Sequence, residues 1–397
     1  MTSERAYWVA WSSLDGVGPI LQKRIFDTFG SLEAAWQAPI DELVRVEGIG
    51  RPLAEKIGAL RSRCLPETLL TQYESQSQAF WTPADAPYPT LLFDIPDPPP
   101  ILYYRGPLRF DNLPSSALAV GIVGTRRPSS YGVRWTRRLS QCLTQQGILI
   151  VSGLADGVDT LAHQSCLQNQ GTTIAVLGTG TDVVYPSFNQ ALYSQILETG
   201  LILSEYPDGT PPDRGHFPRR NRIIAGLSRA VLVTEAPKRS GALITAYLAN
   251  DYGREIYTVP GSLDNPTSRG CLRLINQGSQ LILDEHNLLE LLSNLPPIKG
   301  PSRGPKATST KPHVEQLTLA AAAPVVNALA MPSPVPQPEL SPDLAVVFEA
   351  ISTEPLTLDN LVQQTQIETG KLLGSLVQLE LLGLVIQLPG MRYQRQN

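Results

Sequence analysis

The chain has 397 residues, of which 42% are hydrophobic, and its formal net charge at pH 7 is −4. This length allows two or three domains with sizeable cores. The charge excludes a protein coated in positive charge that binds any polyanion. No apolar run is long enough to span a bilayer, and the start of the chain lacks the basic-then-apolar layout of a signal peptide. We therefore expect a cytoplasmic protein with no membrane partner.

Cysteine usage is sparse and scattered. The cysteines, Cys64, Cys142, Cys166 and Cys271, show no CxxC spacing. The sequence therefore predicts neither a zinc site nor a disulfide framework, and we expect no metal or other cofactor.

Residues 1–75 contain two similar segments, Leu14–Ile25 (LDGVGPILQKRI) and Val46–Ile57 (VEGIGRPLAEKI). Each has a glycine–apolar–glycine turn followed by an amphipathic helix, the pattern of tandem helix-hairpin-helix modules. Such turns can offer backbone N–H groups to a phosphate. Residues 1–60 carry six basic and eight acidic side chains. Two interpretations stay open: contact with DNA, or packing of the hairpins against each other or against a neighbouring domain.

Residues 80–295 carry the pattern of an α/β domain. Phe80–Pro107 is rich in proline and aromatic residues, which predicts an extended segment added to the edge of the following sheet. Apolar runs then alternate with helical stretches, the pattern of a doubly wound, mostly parallel sheet. The runs are Ala119–Val123, Ile148–Val151, Thr173–Leu177, Leu201–Leu203, Ala230–Val233 and Glu255–Val259.

Positive charge gathers at two places in this domain. Residues 124–138 contain five arginines and no acid, and residues 214–222 contain four arginines and no acid. Ligands of open α/β sheets bind beyond the carboxyl ends of the strands. The sequence therefore predicts an anion site at the turn Gly124-Thr125-Arg126, where the first strand ends, and at the helix start that holds Arg219, Arg220, Asn221 and Arg222. The alternative is that these last arginines pair with Asp208, Asp213 or Glu235.

Two further turns combine a hydroxyl with a glycine N–H just before a helix. They are Ser152-Gly153 and Ser240-Gly241, and both suit a phosphate. Asp159 and His163 are four residues apart and could form an acid–base pair or bind a metal. We favour a structural role for both, because no nucleophile or further ligand lies near in sequence. Several anion cradles without an evident catalyst favour binding over reaction.

Residues 296–340 form a linker rich in Pro, Ala, Ser and Thr, and residues 341–397 return to a globular pattern. Three short helices and a hairpin that turns at Pro389-Gly390 resemble a winged helix. This part has three basic residues, Lys371, Arg392 and Arg395, against six acidic ones. A winged helix that reads a phosphate backbone needs more positive charge, so we expect it to contact protein.

Taken together, the motifs resemble the DNA-processing protein A (DprA/Smf) family. The segments that carry the resemblance occur in the family's order: VGIVGTRRPSSYG, VSGLADGVDTLAH, TTIAVLGTG, Tyr185-Pro186, LSEYP, FPRRNRIIAGLS, EAPKRSGALITA and TVPGS. The resemblance implies an extended Rossmann-like domain between an N-terminal helical (helix-hairpin-helix/SAM-like) domain and a C-terminal winged-helix-like domain.

The resemblance also implies a function. Proteins of this family bind single-stranded DNA, form homodimers and help to load RecA on incoming DNA during natural transformation, and no enzymatic activity is implied. The family's DNA pocket uses residues that match Arg126, Arg220, Arg222, Ser240 and Gly241. The chain departs from the family pattern with Leu272 in place of an asparagine and Ser279 in place of an alanine. Both lie near the part used for dimer contact.

An enzyme class supplies the alternative. The Rossmann-like phosphoribohydrolases of the lysine-decarboxylase-like group cleave nucleotides with a catalytic glutamate in a PGGxGTxxE motif. At the comparable place this chain has RSGALITA, with Thr245 where the glutamate would fall. The missing carboxylate favours the DNA-binding interpretation.

Overall fold

The structure is a computed structural model that divides into two units, Met1–Thr310 and Lys311–Asn397. In the first unit it describes residues 3–76, 78–114 and 117–295. In the second it describes 342–352, 356–365, 367, 372, 375–376, 378–379, 384–388 and 392–395. The predicted linker, 296–340, and the predicted turn at Pro389-Gly390 lie outside the described residues. The domain boundaries inferred from sequence therefore stay predictions.

Helices make up the N-terminal part of the first unit. They are α1 (Glu4–Ser12), α2 (Pro19–Phe29), α3 (Leu32–Gln37), α4 (Ile40–Leu43), α5 (Arg51–Arg61) and α6 (Pro66–Ser75). The two glycine turns precede α2 and α5, and each of these helices has a proline in its first turn, where a missing N–H costs nothing. Trp8, Trp11, Ile25 and Ile57 are fully buried in the core that these helices share.

The rest of the first unit is built on one sheet. Within the described residues its strand order is β1-β2-β6-β5-β4-β3-β7-β8-β9. The strands are β1 (Phe80–Trp81), β2 (Leu102–Arg105), β3 (Ala119–Val123), β4 (Leu149–Ser152), β5 (Thr173–Leu177), β6 (Leu201–Ser204), β7 (Ala230–Val233), β8 (Glu255–Thr258) and β9 (Gln280–Leu281). Strands β3 to β9 pair in parallel, and β1 and β2 add an antiparallel edge beside β6. The predicted parallel sheet and the added edge are both present.

Helices cover both faces of this sheet. They are α7 (Thr90–Phe93), α8 (Ser130–Gln145), α9 (Val158–Gln168), α10 (Gln190–Thr199), α11 (His216–Leu227), α12 (Gly241–Asp251), α13 (Arg269–Asn276) and α14 (Glu285–Ser293). Alternate residues of a strand point to opposite faces. Val123 packs in the core beneath α11 and α12, whereas Val120 and Ile122 pack in the core beneath α8 and α9. The fold is therefore a doubly wound α/β sheet, as predicted.

Strand order reverses at β3. The chain runs from β3 through β4, β5 and β6 on one side and then returns to β7 and β8 on the other. In such sheets the two connections diverge at the reversal and leave a crevice beyond the strand ends. The crevice lies where β3 and β7 pair, with Val123 opposite Val233.

The second unit has its own small core. Its described elements are α15 (Pro342–Ala350), β10 (Leu356–Thr357), α16 (Leu358–Thr365), β11 (Val385–Leu388) and β12 (Arg392–Arg395). The strands form an antiparallel sheet in the order β10-β12-β11, which matches the predicted hairpin. The Arg395 guanidinium donates hydrogen bonds to the carbonyl oxygens of Phe348 and Glu349, and its carbon lies 4.3 Å from the Phe348 ring centroid.

Within the described residues, no helix combines the length and the apolarity that a membrane crossing requires.

Candidate nucleic-acid interface

A cleft opens at the crevice beside β3. It consists of two adjoining cavities of about 230 and 310 Å³ that share Arg126, Ala155, Phe217 and Arg220. We call the larger cavity, which reaches Ser240 and Gly241, the polar half of the cleft. The smaller cavity, which reaches Tyr185 and Phe188, is the aromatic half.

The turn after β3 brings Arg126 to the cleft. A Cβ at Gly124 would lie 2.5 Å from the Val158 side chain and 2.8 Å from the Glu235 carbonyl oxygen, so this position requires glycine. Arg126 is exposed, and its guanidinium carbon lies 5.6 Å from the Phe217 ring centroid. The predicted position of Arg126 at the strand end is thus where the structure has it.

Thr125 does not offer its N–H to a ligand. It is buried, and its N–H donates to the Glu235 carbonyl oxygen at 2.7 Å. Its own carbonyl oxygen accepts from Val158 N at 3.1 Å, and its hydroxyl accepts from Arg127 N at 3.2 Å. The expectation that this N–H contacts a phosphate is wrong, because the neighbouring strand end already takes it.

The Glu235 side chain ties three loops together at the rim. Its buried carboxylate accepts from the N–H and the hydroxyl of Ser129, each at 2.8 Å. It also accepts from the Asn265 amide at 3.3 Å and from the Thr267 hydroxyl. The turn that carries Arg126 is therefore held from the end of β7 and from the loop before α13.

Ser152 and Gly153 do not form an anion cradle. Ser152 is fully buried, and its hydroxyl donates to the Ile122 carbonyl oxygen at 2.6 Å. The Gly153 N–H donates to the Asp159 carboxylate at 3.1 Å. This prediction is wrong, because both donors are used inside the protein, although Gly153 does line the aromatic half.

Arg220 forms the floor of the cleft. Only 4% of it is exposed, and its Nη1 donates to the Gly153 carbonyl oxygen at 2.6 Å and to the Val176 carbonyl oxygen. Burial lowers the pKa of its guanidinium to about 10; Arg126 adds to this shift, and Asp159 opposes it. Arg220 therefore joins the ends of β4 and β5 and presents only an edge to a ligand.

Arg222 lies outside the cleft. It is buried, its Nε lies 3.1 Å from the Asp97 carboxylate, and its Nη2 pairs with Glu205. Residues two apart on a helix point about 200° away from each other, so Arg220 and Arg222 cannot enter one pocket. The prediction of Arg222 as a pocket residue is wrong, and neither Glu205 nor Asp97 was among the ion-pair partners that the sequence suggested.

The polar half retains the features of an anion site. Ser240 caps α12 by accepting from Ala242 N at 3.3 Å, and Gly241 is exposed. The Gly241 N–H has no partner within the described residues. Asn221 donates to the Gly241 carbonyl oxygen at 3.3 Å and so links α11 to α12. An open N–H at the positive end of a helix favours an anion there.

The cations around these turns are not neutralised. The side chains concerned are exposed and make no ion pair with any described carboxylate: Arg126, Arg127, Arg214, Arg219, Lys238 and Arg239. Arg126 and Arg239 line the polar half directly. The cleft therefore combines exposed arginines with an open helix N-terminus.

Comparison with known proteins agrees with this architecture. The family model described as DNA recombination-mediator protein A matches residues 79–293, and that of the DprA winged helix domain matches residues 331–391. The chain belongs to the DprA/Smf family of DNA recombination mediators. The second match begins ten residues before the predicted start of the winged-helix part at residue 341.

Two curated relatives illustrate the extent of the likeness. Protein Smf of Synechocystis sp. is 46% identical over 396 residues, which cover 99% of each chain. The DNA processing protein DprA of Streptococcus pneumoniae is 45% identical over 202 residues, 51% of this chain and 70% of that one. The X-ray structure of DprA from Streptococcus pneumoniae superposes with a TM-score of 0.61 at 34% identity and covers 73% of this chain and 98% of that one.

Exposed aromatic rings are the part of this DprA-family cleft that the sequence reasoning missed. Tyr185 is 43% exposed and Phe188 is 64% exposed, and both line the aromatic half. The Tyr185 and Phe217 ring centroids are 5.6 Å apart. Tyr185 was noted only as part of a motif, and Phe188 was not noted at all. A signal existed, since both follow the end of β5 in a stretch that cannot bury them in the sheet.

Asp159 and His163 have structural roles, as expected. The Asp159 carboxylate holds the Gly153 N–H, and burial raises its pKa to about 6 while Arg220 opposes the shift. His163 is fully buried, its Nδ1 lies 2.7 Å from the Thr173 hydroxyl, and burial and Arg220 lower its pKa to about 3. Neither is arranged for proton transfer. No group of three metal-binding side chains occurs within the part of the chain that the structure describes.

The position that separates the enzyme alternative lies on the wall of the polar half. It is Thr245, which is buried on α12. A threonine cannot replace the carboxylate of a phosphoribohydrolase, so the geometry does not favour that activity.

Proposed function

We propose that this protein binds single-stranded DNA in the cleft, protects incoming DNA and helps to load RecA on it during natural transformation. The observation that carries the proposal is the meeting of unpaired arginines, an open helix N-terminus and exposed aromatic rings in one cleft. Arginines and N–H groups suit phosphates, and aromatic rings suit unpaired bases. We propose that the protein acts as a binder in the cytoplasm rather than as an enzyme.

The proposed contacts differ from those that the sequence suggested. Arg126, Asn221, Ser240 and Gly241 line the polar half and are proposed to hold phosphate. Arg219 is exposed on the first turn of α11 and is proposed to attract the strand. The remaining predicted residues, Gly124, Thr125, Ser152, Gly153, Arg220 and Arg222, are proposed to shape the cleft or to support α11.

Preference for a single strand follows from the shape of the site. A strand-end cleft with rings along one wall admits a flexible backbone with exposed bases, whereas it offers no projecting helix for a major groove. A salt titration of binding to a labelled oligonucleotide and to the duplex of the same sequence tests this. We expect tighter binding to the single strand and an affinity that falls steeply with salt, because phosphate contacts release counterions. Equal affinities, or binding that salt does not change, would contradict the proposal.

RecA loading and dimer formation are separate parts of the proposal. Loading is tested by the rate of RecA filament formation on single-stranded DNA, with and without the protein; no acceleration would argue against it. For dimer formation, sedimentation measures the mass in solution. The departures from the family pattern are Leu272, which lines an open groove beside Leu263, and Ser279, whose hydroxyl lies 2.9 Å from that of Thr258. A monomer at micromolar concentration would show that these departures matter.

A further inference from the structure

The two halves of the cleft differ in charge. The polar half is lined by Arg126 and Arg239 together with the open end of α12, and its one carboxylate, Asp159, is buried. The aromatic half also holds an exposed carboxylate, that of Asp156. A phosphate is attracted to the first environment, and in the second it meets a like charge. A DNA strand in the cleft therefore places its phosphate in the polar half.

The aromatic half suits a flat ring. Its volume of about 230 Å³ lies below the roughly 300–1,000 Å³ of sites for drug-sized ligands. Tyr185 and Phe188 expose ring surface to it, and Leu177 lines it as well. A base stacks on such surfaces whatever its identity. The size and the lining fit one unstacked nucleobase attached to a phosphate next door.

Asp156 is placed to read that base. One of its carboxylate oxygens accepts from Gly157 N at 2.8 Å, and the other has no partner within the described residues. No described cation lies within 4.0 Å of it, although Arg126 and Arg127 line the same cavity. Its acceptor capacity is therefore left for a ligand.

A carboxylate only accepts hydrogen bonds, so it discriminates between bases by their donors. Guanine presents two adjacent N–H groups on its Watson–Crick edge, N1–H and the 2-amino group. Cytosine and adenine present one amino group beside an acceptor nitrogen, and thymine presents a single N–H between two carbonyl oxygens. Guanine is the base whose edge a carboxylate fits with two hydrogen bonds.

We propose that the aromatic half is a subsite for one unstacked nucleobase and that Asp156 makes it favour guanine. This inference rests on the proposed binding of single-stranded DNA. It adds a base preference to a protein whose other contacts are with the backbone and with ring faces.

The test compares oligonucleotides of equal length in lithium buffer, which suppresses guanine quadruplexes. One contains only thymidine, one alternates thymidine with deoxyguanosine, and one alternates thymidine with deoxyinosine, which lacks the 2-amino group. The native protein should bind the guanine oligonucleotide about fivefold or more tightly than oligothymidine, with inosine between them. Asp156→Asn should reduce this ratio to less than about twofold. The control Glu198→Gln removes an equal charge from the exposed face of α10 and should leave the ratio unchanged.

Each outcome decides one point. A native ratio near one overturns the guanine preference, and an unchanged ratio in Asp156→Asn removes Asp156 from the reading of the base. Phe188→Ala should weaken binding to all three oligonucleotides; if it does not, the base does not occupy the aromatic half. Failure of the proposed function looks different, since the native protein would then bind none of the oligonucleotides in a salt-dependent way. Thermal unfolding first establishes that each variant is folded.

Discussion

The N-terminal hairpins and the cleft use the same backbone device in opposite electrostatic settings. Each places a glycine turn before the N-terminus of a helix. In the hairpins an acid directly precedes the first glycine of each turn. Lys56 Nζ lies 3.7 Å from Asp15, and an Arg24 guanidinium nitrogen lies 3.6 Å from the Glu47 carboxylate. In the cleft, Arg126 and its neighbours have no such partners among the described residues.

The hairpin turns also pack against each other. A Cβ at Gly48 would lie 2.9 Å from Leu21 on α2, and one at Gly16 would lie 3.2 Å from Leu53 on α5. Each turn thus fits against the helix of the other hairpin, with a backbone φ near +90° that favours glycine. The comparison teaches that a glycine turn before a helix specifies a shape, and that the nearby charges decide whether the shape can bind a phosphate. The packing interpretation of the hairpins is the one that this geometry favours.

The strongest way to break the comparison is Arg126→Ala. We expect a loss of about 1.5–3 kcal/mol in the free energy of binding single-stranded DNA, as for a hydrogen bond to a charged group. Arg134→Ala is the matched control, because Arg134 is also exposed and unpaired among the described residues, and lies on the second turn of α8. It should cost less than about 1 kcal/mol as a screened, more distant charge. Equal losses in two folded variants would leave only a diffuse basic surface.

A second prediction uses the buried acid of the cleft floor. Because the pKa of Asp159 in the folded protein is raised to about 6, the folded state binds a proton between about pH 6 and pH 4, where the unfolded state remains ionised. This contribution to stability therefore grows as pH falls through 6. Relative to Asp159→Asn, the native protein should gain about 1–2 kcal/mol of unfolding free energy between pH 7.5 and pH 5.

Denaturant titrations at the two pH values measure this difference. Asp15→Asn is the hairpin counterpart: its carboxylate is exposed, so the same comparison should show almost no pH-dependent difference. A flat profile for both pairs would mean that Asp159 is ionised in the folded protein.

A third prediction concerns the second unit. Removal of residues 341–397 should leave the affinity for single-stranded DNA within a few-fold, because the Arg395 guanidinium is engaged with the end of α15 and this part is rich in acid. Affinity measurements on the full and the shortened chain provide the check. A loss of a hundredfold or more would move the main DNA site out of residues 80–295.

The smallest effect is expected in the hairpins. Lys56→Ala and Arg51→Ala should change the affinity for single-stranded DNA by less than about twofold, since both cations already face carboxylates. Stability should change by less than about 1 kcal/mol, as for exposed ion pairs. If either variant loses affinity as Arg126→Ala does, the hairpins bind DNA despite their acids.

Much of the sheet could be predicted from the sequence. Strands buried on both faces form uninterrupted apolar runs, so β5 and β7 have the expected bounds, and β4, β6 and β8 differ by one residue at an end. The two-residue strand β9 was not predicted. Both of its residues are exposed, so it has no apolar run to identify it.

The site was predicted in position but only partly in its contacts. Strand-end turns identified Arg126, Ser240 and Gly241, because those residues act through local backbone geometry. The partners of Arg220 and Arg222 come from distant parts of the chain, such as the Val176 carbonyl oxygen and Asp97. No local pattern shows them. The divergence of these two arginines, however, follows from helical spacing alone.

The Glu235 carboxylate has a kinetic consequence. Since it fastens the turn of Arg126 to two other loops, that turn is ordered during folding rather than when a strand arrives. Little conformational entropy is then lost on association. No loop closure has to precede contact, so the rate at which a strand enters is set by diffusion and by the field of the unpaired arginines. The association rate constant should therefore fall with added salt, whereas the thermal stability of the rim does not depend on the presence of DNA.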